Sequence, residues 1–213
     1  MLKKILLFKV KAAGVCGSDI PHVYKTGTYH YPLIPGHEFS GIVAEIGENV
    51  STSWLGKRGG VFPLIPCKRC APCKERKYEL CEDHNYLGSR TNVGFAEYVK
   101  GPVWNLLELP DDVSFEQAAM LEPMAVAVHA IRQSKVTLGN TVAVCGLGTI
   151  GLFVVMFLHE VGCREIYAIG NKKLQLKVAE QLGLPADHCC DSSKETIDEW
   201  LEDKTNGHRP EVF

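Results

Sequence analysis

The sequence predicts an α/β chain in two parts: a mostly β, loop-rich first part, then the first half of a doubly wound parallel sheet. Three observations carry this expectation. Four cysteines, Cys67, Cys70, Cys73 and Cys81, form a C-x2-C-x2-C-x7-C array inside the β-type part. The run Gly146-Leu147-Gly148-Thr149-Ile150-Gly151 separates an apolar stretch from a helical pattern. From Thr141 onward, β-type runs and helical stretches alternate, which is the rhythm of parallel strands joined by crossover helices.

Taken in order, the first part reads as short strands at Leu6–Ala12, Gly41–Ile46, Gly60–Leu64 and Gly94–Val99, separated by Gly- and Pro-rich turns. The cysteine lobe is inserted between two of them. An Ala-rich helical pattern follows over Ser114–Arg132, with Ser114 as its N-cap. The second part predicts a strand at Thr141–Cys145, a helix at Thr149–Val161, a strand at Glu165–Ile169 and a helix at Lys172–Leu182 stopped by Gly183. A short run at His188–Cys190, a helix at Lys194–Asp203 and an opening strand at Pro210–Phe213 complete the pattern. The expected domains are 1–129 and 130–213.

Composition narrows the function classes. The 213 residues are 46% hydrophobic and 23% charged, ordinary globular values that support a real core. A formal charge of −2 gives no electrostatic reason for a nucleic-acid or membrane partner. Lys68, Arg69, Lys74, Arg76 and Lys77 cluster in the cysteine lobe, but Glu75, Glu79, Glu82 and Asp83 interleave with them, as on a solvated face. Nine cysteines, an odd number with four in one array, imply a reducing cytoplasm. The apolar run Ile5–Phe8 is too short for a signal-peptide core. No stretch approaches a membrane span.

Three groups of residues carry chemistry. Four thiolates at the spacing Cys67, Cys70, Cys73, Cys81 close a tetrahedral cage on one Zn²⁺ and leave no open position, so the site is structural. A pair of disulfides or four unrelated thiols is the alternative. In the glycine run, Gly146 allows a tight turn, Gly148 lets the backbone approach a pyrophosphate, and Gly151 lets helix and strand pack closely. The new helix then offers free N–H groups to phosphates. The acidic residue expected about 20 residues on is replaced by Gly170-Asn171-Lys172-Lys173. That set suits a ribose 2′-phosphate, hence NADP, unless the lysines are simply solvated. The third group is scattered: Cys16, His37, Glu38 and Glu122 are either a three-ligand catalytic zinc site or ordinary core residues.

With these residues in view, the chain resembles the zinc-containing medium-chain alcohol dehydrogenase family. Gly14-Val15-Cys16-Gly17-Ser18-Asp19 and Gly36-His37-Glu38-Phe39-Ser40-Gly41 resemble its catalytic-zinc segments. The four-cysteine lobe, Gly94-Phe95-Ala96-Glu97-Tyr98-Val99 and the glycine fingerprint follow in the family's order. Glu122 stands where many members carry a second zinc-binding cysteine, which resembles the polyol branch.

The resemblance implies a GroES-like catalytic domain and a Rossmann domain with the active site in the cleft between them. It further implies catalytic Zn²⁺ on Cys16, His37 and Glu122, with Glu38 as an alternative ligand or an orienting carboxylate. Ser18 then sits in a proton relay that His22 extends. The implied reaction passes hydride between NAD or NADP and a polyol or sugar-alcohol phosphate whose oxygen Zn²⁺ polarises, in a homo-oligomer. The family pattern also implies further strands before Val10–Ala12 and a second half of the nucleotide fold after Phe213. A non-catalytic zinc-binding fragment of such an enzyme is the alternative reading.

Overall fold

The computed structural model describes residues 4–213; the expectation attached to the residues before Lys4 lies outside them. The chain forms two compact units, residues 1–122 and 123–213. The sequence placed the break at 129/130; both positions fall within one continuous helix, Leu121–Ser134.

In the first unit, β1 (Ile5–Gly14) is followed by a short helix α1 (Asp19–Tyr24), β2 (Glu38–Ile46), β3 (Arg58–Val61) and β4 (Leu64–Ile65). A single turn α2 (Ala71–Lys74), β5 (Asn85–Tyr86), β6 (Tyr98–Pro102) and β7 (Leu106–Glu108) come next. The larger sheet runs β6-β1-β2-β3-β7 and is antiparallel throughout; β4 and β5 make a separate ribbon. Leu6, Phe8, Phe39, Val43, Val61, Leu87, Val93, Val99 and Leu106 form its core. β1 begins with the alternation of a strand with one wet face, whereas β2 and β3 carry runs of buried residues.

One expected strand is corrected. Residues 94–97 are bends, and β6 starts only at Tyr98. The cause is a backbone joint that no local pattern reveals. Gly36 (φ +100°), Gly88 (φ +85°) and Gly94 (φ +56°) meet so closely that a Cβ on Gly88 or Gly94 would run into the Gly36 carbonyl. The Val93 amide donates to the Ile34 carbonyl and the Phe95 amide to that of Pro35, both at 3.0 Å. The segment is thereby turned out of the sheet to brace the approach to β2.

The helical stretch after the sheet is two helices, α3 (Phe115–Ala119) and α4 (Leu121–Ser134), interrupted at Met120. Ser114 caps α3 as expected: its hydroxyl accepts from the Gln117 amide at 3.2 Å, and Gln117 reciprocates on the Ser114 amide at 2.8 Å.

The second unit continues with β8 (Thr141–Cys145), α5 (Thr149–Val161), β9 (Glu165–Gly170), α6 (Lys173–Gln181), β10 (Cys189–Asp191) and α7 (Ile197–Lys204). The strands are parallel in the order β10-β9-β8. Val212 pairs in parallel with Val142 on the free edge of β8, with the Ala143 amide donating to the Val212 carbonyl at 3.0 Å. The strand order therefore reverses at β8. Crevices outside the C-terminal ends of such strands are where doubly wound sheets hold ligands. Val142, Val144, Val155, Leu158, Ile166 and Ala168 pack one face, and Tyr167, Ile169, Cys190, Trp200 and Leu201 the other, as a sheet covered by helices on both sides requires.

Candidate metal centres and dinucleotide turn

The four-sulfur lobe hangs from the β4–β5 ribbon. Cys67 lies just past β4, Cys73 within α2, and Cys81 at the end of a turn that returns the chain to β5. All four thiols are free, and one sulfur of each lies within 4.8 Å of the others. The Cys70 and Cys81 sulfurs are 3.9 Å apart, far beyond a disulfide length of about 2.05 Å. That spacing matches the edge of a tetrahedron with Zn–S bonds of about 2.3 Å, roughly 3.8 Å.

Main-chain amides supply the surrounding hydrogen bonds. Arg69 and Cys70 donate to the Cys67 sulfur at 3.5 and 3.4 Å, and Cys67 donates to the Cys81 sulfur at 3.2 Å. The amides of Arg69 and Cys70 bring the Cys67 thiol down to about 6. Burial, with the neighbouring cysteines, pushes the Cys73 thiol up to about 12. Four sulfurs this close can all ionise only around a cation that neutralises them, and the donor set fits Zn²⁺.

The second centre is built at the junction of β1, α1 and β2. Cys16 lies in the turn after β1, locked by two reciprocal bonds with Asp19. The Cys16 amide donates to the Asp19 carboxylate and the Asp19 amide to the Cys16 carbonyl, each at 3.0 Å. Glu38 opens β2, and His37 immediately precedes it. One ligand atom each from Cys16, His37 and Glu38 lies within 4.8 Å of the others. Gly14 stands opposite Glu38 across the β1–β2 ladder, and a Cβ there would strike the Glu38 carboxylate. Any larger residue there would push that carboxylate from its inward position.

Electrostatics reinforce the grouping. The His37 imidazole draws the Cys16 thiol below its ordinary value, against burial, with Ser18 adding to the effect. Burial depresses His37, but the Cys16, Asp19 and Glu122 charges outweigh it and leave the imidazole raised. Burial lifts Glu38, against the pull of His37. The Nδ1 atom of His37 is buried without a hydrogen-bond partner, and its nearest acceptor is Asp19, itself only 3% exposed, at 3.7 Å. A carboxylate behind one imidazole nitrogen leaves the other for a metal, the usual arrangement around a histidine ligand. Thiolate, imidazole and carboxylate fit a zinc site that keeps one position open.

The resemblance put Glu122 in the ligand set with Glu38 as its alternative, and the structure groups the other way. Glu38 is in the 4.8 Å group. Glu122, in the first turn of α4, stands outside that group and accepts from the Tyr86 hydroxyl at 3.0 Å. Tyr86 also sets its ring edge against His37, with centroids 5.8 Å apart. Burial and the Glu122 charge hold the Tyr86 phenol well above its ordinary range, so it stays a donor. Ser18 is exposed just before α1. His22 is half-buried on α1 and makes no side-chain hydrogen bond to Cys16, Ser18 or His37 among the described residues. Asp19 and Tyr86 are the site neighbours that sequence reasoning missed. Asp19 sits inside a quoted motif, but its burial is a tertiary fact, and nothing local marks Tyr86.

Because Gly14 makes space for Glu38, a Gly14→Ala chain is expected to lose metal from this centre while keeping it in the four-sulfur lobe. Zinc content of the purified variant, falling by about one ion per chain, is the check.

In the second unit, Gly146 has φ +97° and its amide donates to the Ile169 carbonyl at 2.8 Å, turning the chain off β8. Leu147 is buried beneath Gly170, whose added Cβ would come within 3.0 Å of it. Leu147 thus anchors the turn, while its neighbours face outward. A Cβ on Gly148 meets nothing within 4 Å, whereas one on Gly151 would collide with the Gly146 carbonyl. Gly148 keeps open the space a pyrophosphate needs, and Gly151 lets α5 start directly over the turn. Thr149 and Ile150 form the first turn of α5, whose free amides face that space. Gly170 ends β9; Asn171 and Lys172 follow at its C-terminal edge, both exposed. No acidic side chain stands at these positions.

Comparison with known proteins bears on the whole arrangement. The family model described as the alcohol dehydrogenase GroES-like domain matches residues 3–111. Galactitol 1-phosphate 5-dehydrogenase of Escherichia coli K12 is 34% identical over 175 residues, 82% of this chain and 51% of that protein. Sorbitol dehydrogenase of Bacillus subtilis is 34% identical over 213 residues, 97% of this chain and 60% of that protein. The crystal structure of galactitol-1-phosphate dehydrogenase from Escherichia coli superposes with a TM-score of 0.87 at 30% identity, covering 97% of this chain and 58% of that one. The chain spans about half to three fifths of the length of these relatives. With its sheet, sulfur lobe and mixed-donor centre in the matched region, the chain belongs to the alcohol dehydrogenase GroES-like domain family.

Proposed function

We propose that this chain carries the metal- and nucleotide-binding parts of an oxidoreductase. The reaction moves hydride between the secondary alcohol of a polyol or polyol phosphate and NAD or NADP. The observation that carries the reading is the convergence of Cys16, His37 and Glu38 within 4.8 Å, beside a buried Asp19. The polyol dehydrogenases among its relatives support the substrate class.

In this reading Cys16, His37 and Glu38 hold the catalytic Zn²⁺, and Cys67, Cys70, Cys73 and Cys81 hold a structural one. Bound Zn²⁺ supplies Lewis acidity to the alcohol oxygen, and the nicotinamide accepts the hydride. The Asp19 carboxylate, 3.7 Å from Nδ1, favours a proton on that nitrogen electrostatically and leaves the other for the metal. The Ser18 hydroxyl takes the proton leaving the alcohol, and His22, one turn further along α1, is the next acceptor. The Gly146–Gly151 turn and the α5 amides hold the pyrophosphate, while Gly170, Asn171 and Lys172 receive the adenosine ribose. An amide and an ammonium in place of a carboxylate favour a 2′-phosphate, hence NADP. These roles divide between a catalytic domain over residues 1–129 and a nucleotide domain over 130–213.

The proposed partner is therefore a small polyol rather than nucleic acid or a membrane, in a homo-oligomeric, cytoplasmic enzyme. Nine free thiols support a reducing compartment. None of the described helices is long and apolar enough to cross a membrane.

Metal analysis combined with calorimetric titration of NADPH and NADH on the whole chain tests the proposal. The expected result is two zinc ions per chain and nucleotide binding in roughly the micromolar to millimolar range typical of enzyme ligands. One zinc ion and no nucleotide binding would reject the enzyme reading in favour of a non-catalytic zinc module.

A further inference from the structure

Two carboxylates compete for one place beside Cys16 and His37. Glu38 occupies it, turned inward over Gly14. Glu122 remains close enough for its charge to act on both His37 and Glu38, yet it stands outside their group. One interaction accounts for this division. Tyr86 is held in the β4–β5 ribbon opposite Leu64, and the next amide, of Leu87, donates to the Pro63 carbonyl at 3.0 Å. From that fixed base its ring edge meets His37 and its hydroxyl reaches the Glu122 carboxylate at 3.0 Å.

We propose that Tyr86 is a positioning residue that tethers the Glu122 carboxylate away from the metal, so that the centre keeps three protein ligands and one open position. The inference rests on the metal-centre reading given above. Its logic is steric and electrostatic. A glutamate in the first turn of a helix is a flexible donor, and swinging it toward a cation flanked by a thiolate and an imidazole is favourable. The Tyr86 hydroxyl opposes that swing, because Glu122 cannot turn inward without leaving a largely buried phenol unpartnered. With Glu122 recruited, four protein donors would close the centre, giving it the ligand count of a structural site. Held back, Glu122 stays an acceptor beside the open position, placed to hydrogen-bond whatever enters there.

The test uses the whole chain loaded with Co²⁺, with imidazole as a probe of the open position and the four-sulfur centre as internal control for folding. Tyr86→Phe removes only the hydroxyl. It is expected to tighten Co²⁺ at the mixed-donor centre and to weaken imidazole binding there. Each change should be about tenfold, the lower end of what partners of metal ligands command, and the visible Co²⁺ bands should shift to match. Tyr86→Phe combined with Glu122→Gln should return both values to the wild-type level, which a merely structural role for Tyr86 would not do. Glu122→Gln alone should leave Co²⁺ affinity within about threefold of wild type, the scatter of context effects on such partners.

Unchanged imidazole binding in Tyr86→Phe, or changes that persist when Glu122 is also replaced, would overturn the tether. So would a Glu122→Gln chain that loses its Co²⁺. A wild-type chain that takes up metal only at the sulfur lobe would instead reject the underlying metal-centre reading, and the tether with it.

Discussion

Cys73→Ser is expected to empty the four-sulfur centre and unravel the lobe between β4 and β5. Structural zinc sites carry apparent binding energies on the order of 10–16 kcal/mol, and that energy is folding energy. Removing one of four ligands forfeits roughly a quarter of it, about 3–4 kcal/mol, or several hundredfold in affinity. The lobe has little else to hold it. Its only helices are the four-residue α2 and a single 3₁₀ turn at Tyr78–Leu80, its backbone turns at Lys68 and Arg76 take positive φ, and its ion pairs, Arg69–Asp83 and Lys77–Glu75, are exposed and worth little. Zinc content should fall by one ion per chain, and trypsin should cut at Lys68, Arg69, Lys74, Arg76 or Lys77. The larger sheet, whose core contains no lobe residue, should keep its far-UV signal. A variant that retained its full zinc content and protease resistance would show that the lobe is not metal-dependent.

Gly151→Val is expected to abolish dinucleotide binding and to destabilise the second unit. The added Cβ would collide with the Gly146 carbonyl, and backbone cannot move aside as a side chain can. Overpacking of this kind costs typically 1–3 kcal/mol, and the displaced turn would no longer present the α5 amides. Nucleotide affinity should fall at least about a hundredfold, the size of effect a misplacement of about 1 Å produces, together with a lower Tm. Gly148→Ala is the informative contrast. Its Cβ meets nothing in the protein, so Tm should hold while affinity drops, because the methyl group occupies space the pyrophosphate needs. If both variants bound NADPH and NADH like wild type, the turn would not be a phosphate site.

The contrast between these two glycines shows which features a sequence displays. The fingerprint, the cysteine array and the Ser114 cap are local: their partners lie within a few residues, so spacing alone encodes the geometry. The alternation of strands and helices after Thr141 is local in the same sense, and the parallel β10-β9-β8 sheet follows it closely. Features that depend on distant contacts were not legible. Gly94–Val99 has β-type composition, yet Gly94 bends because it abuts the Gly36 carbonyl. Glu38 sits beside Cys16 and His37 over Gly14 while Glu122 bonds Tyr86, and both partners are remote in sequence. Asp19 sits in the motif that contains Cys16, but no spacing rule distinguishes a buried carboxylate aimed at an imidazole from one at an exposed helix start.

The junction of Gly36, Gly88 and Gly94 constrains any attempt to redesign the chemistry. Main chain of Gly88 and Gly94 meets the Gly36 carbonyl there and the Phe95 ring lies against Gly36, so there is little that can shrink, grow or change rotamer to absorb an error. An engineer wishing to retune the imidazole's position for another metal would gain nothing by altering residues around it while this knot stays tied. The workable route is to rebuild the crossing itself, replacing the three strands of contact together as one cassette.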